Sequence, residues 1–191
     1  MDRRGAVLDR IEKSISAKRS LERCVDEIIL AADEIVKHID AGGEILLFGN
    51  GGSAADAQHI AAEFVGSYRI NRDPLPAIAL NTNVSVLTAV ANDSGFENIF
   101  SRQIEALACS VDVVIGISTS WRSKNVLEGM RSARKQGAFL IAFAGECAVP
   151  KELADIIIPV MSSETSIIQE SHILIGHIIC QLVEEEMFGE K

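Results

Sequence analysis

Four stretches of this chain hold residue types whose spacing could do chemistry. His59 and Glu63 stand four residues apart in a segment with helical periodicity, so they share one face. An imidazole and a carboxylate so placed are two ligands for one metal ion, or a base beside its partner; the bland alternative is a surface pair. Gln169, His172 and His177 fall in a later helical segment otherwise rich in Ile and Leu. Gln169 and His177 are about two turns apart and lie within a quadrant of one face. A polar group on an apolar helix needs a partner, and a buried structural histidine is the simplest account of each imidazole.

The other two stretches are loops. Gly49-Asn50-Gly51-Gly52-Ser53 follows an apolar run and precedes a helical pattern. Glycines let the backbone come close to a ligand, and a helix N-terminus offers free N–H groups to an anion. This is neither G-x-G-x-x-G nor a P-loop, since no Gly-Lys-Ser/Thr follows, and the competing reading is a tight turn with Ser53 as N-cap. Ser118-Thr119-Ser120-Trp121-Arg122-Ser123 occupies a similar place. One cap needs one hydroxyl, so four hydroxyls at a helix N-terminus favour an oxyanion such as phosphate.

Alternating elements must position these groups. Strands are predicted at Glu44–Phe48, Ala77–Leu80, Asp112–Ile117, Ala138–Phe143 and Asp155–Ile158. Helices are predicted at Ser53–Val65, Val84–Ala91, Glu97–Ala108, Ser123–Gln136 and Thr165–Met187. Near-continuous apolar strands alternating with helices mean a doubly wound α/β fold, with a five-stranded parallel sheet covered on both faces. In such sheets ligands bind outside the carboxyl ends of the strands, where both loops fall. Ahead of the sheet, residues 6–16 and 20–40 read as a helical arm ending at Ala41-Gly42-Gly43. The apolar stripe Leu21, Val25, Ile28, Ile29, Ala32, Ile35 and Val36 needs a partner, either the core of this chain or a second subunit. Glu184-Glu185-Glu186 reads as a solvated helix end, and Arg131, Arg134 and Lys135 as an exposed helix face.

Composition narrows the function classes. The 191 residues suit one domain, and the formal charge of −9 argues against a nucleic-acid or anionic-membrane binder. A single Trp and a single Tyr leave no stacking platform for single-stranded nucleic acid. The four cysteines form no C-x-x-C pair, which disfavours a zinc knuckle or disulfide scaffold and fits a reducing cytoplasm. No apolar signal core precedes the arm, and no apolar run is expected to reach the length of a membrane span.

Taken in order, FGNGGSAADAQHIAAE, LTAVANDSGFENIFSRQI, GISTS and IQESHILIGHIICQLVEEEM resemble the sugar isomerase (SIS) fold. Within it they resemble the phosphoheptose isomerase family, the sedoheptulose 7-phosphate isomerases, from about residue 20 to 188. The resemblance implies a single flavodoxin-like SIS domain over 1–191, with an arm at 1–41 and an α/β core at 44–188. It implies a homotetramer with active sites between subunits, and aldose–ketose isomerisation of a seven-carbon sugar phosphate towards lipopolysaccharide heptose, without an organic cofactor. The family's glutamate base matches Glu63 and its histidine acid/base His177. Its zinc ligands, in members that bind metal, match His59, Glu63, Gln169 and His177. Its sugar-contacting residues match Asn50, Gly51, Gly52, Ser53, Gln169 and the Asn92–Asp93 pair, and its phosphate hydroxyls Ser118, Thr119, Ser120 and Ser123.

Two departures stand out. The family's loop reads S-T-S-G-N-S, where this chain has Trp121 and Arg122, and Ser67 replaces an arginine of many members. A Trp is costly if that glycine sits at positive φ, and Arg122 would offer a charged phosphate donor. Two other readings compete: an adaptor like the relatives that associate with the replication initiator DnaA, and an isomerase or sensor of a different sugar phosphate.

Overall fold

The computed structural model describes residues 2–189. At its centre is a parallel sheet in the order β2-β1-β3-β4-β5. The strands are β1 Ile45–Gly49, β2 Ala77–Ala79, β3 Val113–Ser118, β4 Phe139–Ala144 and β5 Ile156–Pro159. Every residue of β1 and β3 is buried, because both faces of the central strands are covered. Successive side chains point to opposite faces: Ile45 and Leu47 enter one apolar cluster, Leu46 and Phe48 the other. Leu47 stands level with Ala79 of β2 and Ile115 of β3, which fixes the register on both sides of β1. The chain leaves β1 for β2 on one side and returns to β3 on the other. The strand order therefore reverses between β1 and β3, and a crevice opens at their carboxyl ends.

The helices are α1 Arg3–Ser20, α2 Val25–Asp40, α3 Gly52–Val65, α4 Val84–Ser94, α5 Ser101–Leu107, α6 Lys124–Gln136 and α7 Thr165–Phe188. Helices α2, α3 and α7 cover one face of the sheet, through Ile35, Ile60, Phe64, Ile175 and Ile179. Helices α5 and α6 cover the other, through Ile104, Val126 and Met130. Three elements depart from expectation. Helix α1 begins earlier because the Asp2 carboxylate accepts from Arg4 N and Gly5 N and caps it. The stripe expected as one helix over 20–40 is interrupted by a 3₁₀ turn, Leu21–Cys24, whose i, i+3 side chains both enter the core. Gly95, at φ +94, ends α4, and a second 3₁₀ turn precedes a shorter α5 than expected.

Helix α7 corrects the expectation about membrane-length runs, being long and apolar enough to cross a membrane by length and composition. Half of that stretch is buried inside the fold, where α7 packs on α2 and α3 as a core helix. Apolar surface remains elsewhere. Val7, Leu8, Ile11 and Ile15 of α1 and Val25, Ile29 and Leu30 of α2 are exposed. An apolar groove of about 400 Å³ runs between Val25, Ile29, Leu174 and Ile178.

Candidate active site

The first loop leaves β1 at Gly49 and turns at Gly51, which has φ +57 and occupies the N-cap of α3. Ser53 is therefore not the cap; it lies one residue inside the helix and is buried. Gly52 has a packing role, since a Cβ there would lie 2.5 Å from Gln169 Oε1. That absence lets α7 bring Gln169 onto the loop. The Asn50 and Asn125 amides exchange two hydrogen bonds, of 2.8 and 2.9 Å, and tie the loop to the first turn of α6. The Asn81 amide clamps the end of β1, donating to Gly49 O at 2.8 Å. Neither Asn81 nor Asn125 belongs to a motif that sequence reading could isolate.

The second loop leaves β3 at Ser118. Trp121 has φ +50, the only positive φ outside glycine among the described residues. Its amide donates to Ser118 Oγ at 3.1 Å and its indole Nε1 donates to the Phe143 carbonyl at 3.0 Å. The indole is buried in the core beneath the sheet, pointing away from the crevice. Arg122 is exposed and does not line the cavity that the loop encloses. That cavity, of about 280 Å³, is lined by Asn50, Gly51, Gly52, Ser53, Ile117, Ser118, Thr119, Ser120, Ser123, Thr165 and Gln169. It gathers the N-cap region of α3, the N-cap of α6 (Ser123) and the first residue of α7 (Thr165). Three helix N-termini and six hydroxyls around one cavity make a site for an anion. Thr165 went unnoticed in the sequence because nothing there shows that α7 starts beside these loops.

Further along α3, His59 Nε2 lies 3.0 Å from Glu63 Oε1, and His177 Nε2 on α7 lies 3.3 Å from His59 Nε2. One ligand atom from each of the three falls within 4.8 Å of the others. The helices can approach this closely because residue 176 is glycine: a Cβ there would lie 2.5 Å from Ile60 Cδ1 and Cγ1. Two imidazole Nε2 atoms facing each other beside a carboxylate are a donor set that fits a divalent cation of the zinc type. Tyr68, not singled out in the sequence, stacks on His177 with ring centroids 5.3 Å apart and planes 23° apart. One turn before His59, burial pushes the Asp56 carboxyl up to about 6, with the nearby His59 pulling it back.

Other expected residues fall elsewhere. Gln169 sits at the anion cavity, against Gly52. Asn92 and Asp93 lie on the exposed end of α4, hydrogen-bonded to each other at 2.7 Å and outside that cavity. His172 is the buried structural histidine: its Nε2 bonds the Ala144 carbonyl at 3.1 Å and its Nδ1 has no partner. Burial lowers it to about 4, against which that single bond acts weakly. Cys180 lies in the core beside Glu63, where burial pushes its thiol up to about 12, so it stays neutral. Ser67 is exposed. Glu184 is not a solvated helix end; it is 2 % exposed, because the loop after α3 folds over it.

Residues 11–145 match the SIS domain family model. The chain is 47 % identical to the phosphoheptose isomerase of Roseiflexus sp. (strain RS-1), over 96 % of this chain and 94 % of that one. Among solved structures, the phosphoheptose isomerase from Neisseria gonorrhoeae is 38 % identical with a TM-score of 0.87, over 95 % of this chain and 98 % of that one. The one from Francisella tularensis is 33 % identical with a TM-score of 0.92, over 97 % and 100 %. The likeness to these phosphoheptose isomerases spans the anion cavity and the His–Glu–His cluster alike, and the chain belongs to the SIS domain family and, within it, to the phosphoheptose isomerases.

Proposed function

We propose that this protein interconverts sedoheptulose 7-phosphate and D-glycero-D-manno-heptose 7-phosphate through an enediol, acting as one SIS domain over the whole chain. The convergence of Glu63 and His177 from helices more than a hundred residues apart carries this reading. Glu63 removes the proton from C1 of the ketose and returns it to C2. His177 serves the oxygens, helping a proton leave O1 and reach O2. The reaction is internally redox-balanced and calls for no organic cofactor. Ser118, Thr119, Ser120 and Ser123 hold the phosphate with the helix N-termini, and Asn50, Gly51, Gly52, Ser53 and Gln169 border the sugar chain; orienting the reacting carbons in this way gives rate.

His59, Glu63 and His177 would hold a zinc ion. When bound, such an ion supplies polarisation of the carbonyl oxygen and stabilisation of the enediolate. Gln169 reaches that ion only from another subunit, since its own helix holds it at the anion cavity. The same geometry bears on assembly. Glu63 lies eleven residues along α3 from Gly52, about 16 Å at the helical rise. A heptose 7-phosphate spans only about 10 Å from C1 to phosphorus at ordinary bond lengths. An extended substrate would have to run the length of α3 for one copy to offer it both its own anion cavity and its own Glu63, which supports a site shared between two copies. A second copy completes the site, within a homotetramer. The exposed apolar faces of α1 and α2 and the Asn92–Asp93 pair, idle in a lone chain, support this reading. The unpaired cysteines support residence in a reducing cytoplasm.

The adaptor reading has no use for the His–Glu–His cluster, and the relatives bear isomerase names. The reading built on another sugar phosphate loses its motive, because Trp121 faces the core and not the cavity. Turnover of sedoheptulose 7-phosphate by Glu63→Gln tests the assignment. Loss of at least a thousandfold in kcat with assembly unchanged is expected. Turnover at the parental rate removes Glu63 from the mechanism.

A further inference from the structure

Behind the His–Glu–His cluster lies a buried ion pair. The Arg72 and Glu184 side chains are 1 % and 2 % exposed, with Nε and Oε1 2.9 Å apart. Arg72 comes from the loop after α3, and Glu184 lies two turns beyond His177 on α7. Neither touches the anion cavity or the three clustered side chains. A buried pair of this kind is weak evidence for stability, because desolvation offsets much of its attraction. Its hydrogen bonds show what it grips.

Arg72 Nη2 donates to Glu63 O and Nη1 to Phe64 O, each at 2.9 Å. These are carbonyls of the last turn of α3, which ends at Val65 and has no helical partners left to offer them. The guanidinium is thus the C-terminal cap of the helix that carries Glu63, with its charge at the favourable end of the helix dipole. Glu184 Oε1 accepts from Tyr68 N at 2.7 Å and Oε2 from Arg69 N at 2.8 Å. Burial alone would raise this carboxyl. The two amides and the Arg72 guanidinium outweigh it and hold Glu184 below the usual carboxylate range. The backbone of Tyr68 is therefore pinned where its ring stacks on His177.

We propose that Arg72 and Glu184 are positioning residues of the isomerase site, one fixing the end of the helix that carries Glu63, the other fixing Tyr68 against the His177 ring. The proposal rests on the isomerase reading above, but one of its tests does not depend on turnover. Tyr68 is the only tyrosine in the chain, so its ring signals in a selectively labelled sample need no assignment. In the parent those signals are displaced by the ring current of the stacked imidazole.

The test uses full-length Glu184→Gln, which keeps the shape, and Arg72→Lys, which keeps the charge but loses the fork. Both are measured beside the parent for kcat, KM, Tyr68 ring shifts and melting. In folded variants, kcat falls ten- to a hundredfold, KM changes less than threefold, and the Tyr68 signals move towards unstacked values. KM holds because the anion cavity lies at the other end of α3. Folded variants with parental kcat and parental Tyr68 signals overturn the proposal. Tyr68→Leu removes the ring while leaving the ion pair in place, and decides the matter if the first two variants do not fold. A tenfold or greater loss of kcat at constant KM supports the proposal, and a parental kcat overturns it. A parent that shows the stacked Tyr68 signals but no turnover counts against the isomerase reading, while the stacking data still judge the two residues' hold on Tyr68.

Discussion

Trp121 shows how a costly residue is accommodated. Its left-handed backbone favours glycine, and a non-glycine side chain there is strained by roughly 1–2 kcal/mol. Burial of the indole and its bond to the Phe143 carbonyl offset that strain. Trp121→Ala keeps the strain and loses the indole, so it destabilises by about 3–5 kcal/mol. Trp121→Gly loses the indole but also the strain, so it is the milder change by roughly 1 kcal/mol. Denaturant titration checks the order, and Ala milder than Gly contradicts it. His172 makes a second prediction. Its folded value of about 4 lies below the 6.5 of an ordinary histidine, so the unfolded chain binds more protons between the two. The stability it contributes is fully present above about pH 6.5 and is lost as pH falls towards 4, about 3 kcal/mol in all. His172→Gln retains a donor for the Ala144 carbonyl and flattens the loss of melting temperature across that window. An acid limb as steep as the parent's removes His172 as its cause.

At the scale of elements, the site depends on how closely α3 approaches α7. Gly176→Ala forces Ile60 aside or separates the helices, costing about 1–3 kcal/mol. It also draws His177 away from His59 and Glu63, so kcat falls with stability. Adding Ile60→Val restores part of both; if it restores neither, the contact is not the cause. This approach explains what could be read in the sequence. Parallel strands buried on both faces announce themselves as apolar runs, so EILLF and DVVIGI placed β1 and β3 and put both loops at the carboxyl ends. The pairing of His59 with Glu63 followed from helical spacing alone. That His177 joins them depends on a glycine packing against an isoleucine on another helix, which no local pattern shows. Glu184 was misread for a related reason. Three consecutive glutamates look solvated, and only the returning loop with Arg72 buries the first of them. Trp121 occupies a glycine's conformation, so its direction was not legible either.

At the scale of the whole molecule, the chain carries two polar clusters, one towards each end of α3, and under the proposed function they are halves of a site shared between copies. The anion cavity lies at the helix N-terminus and the His–Glu–His cluster near its C-terminus. A closed symmetric assembly can bring the cavity of one copy to the cluster of another, and the apolar faces of α1 and α2 provide surface for it. The most direct test co-expresses two inactive variants, Glu63→Gln and the double variant Ser118→Ala/Ser120→Ala, and assays the purified mixture on sedoheptulose 7-phosphate. Random assembly leaves about a quarter of the sites with an intact cluster from one chain and an intact cavity from another, so about a quarter of the parental activity returns. A mixture as inactive as its two components contradicts a site shared between copies.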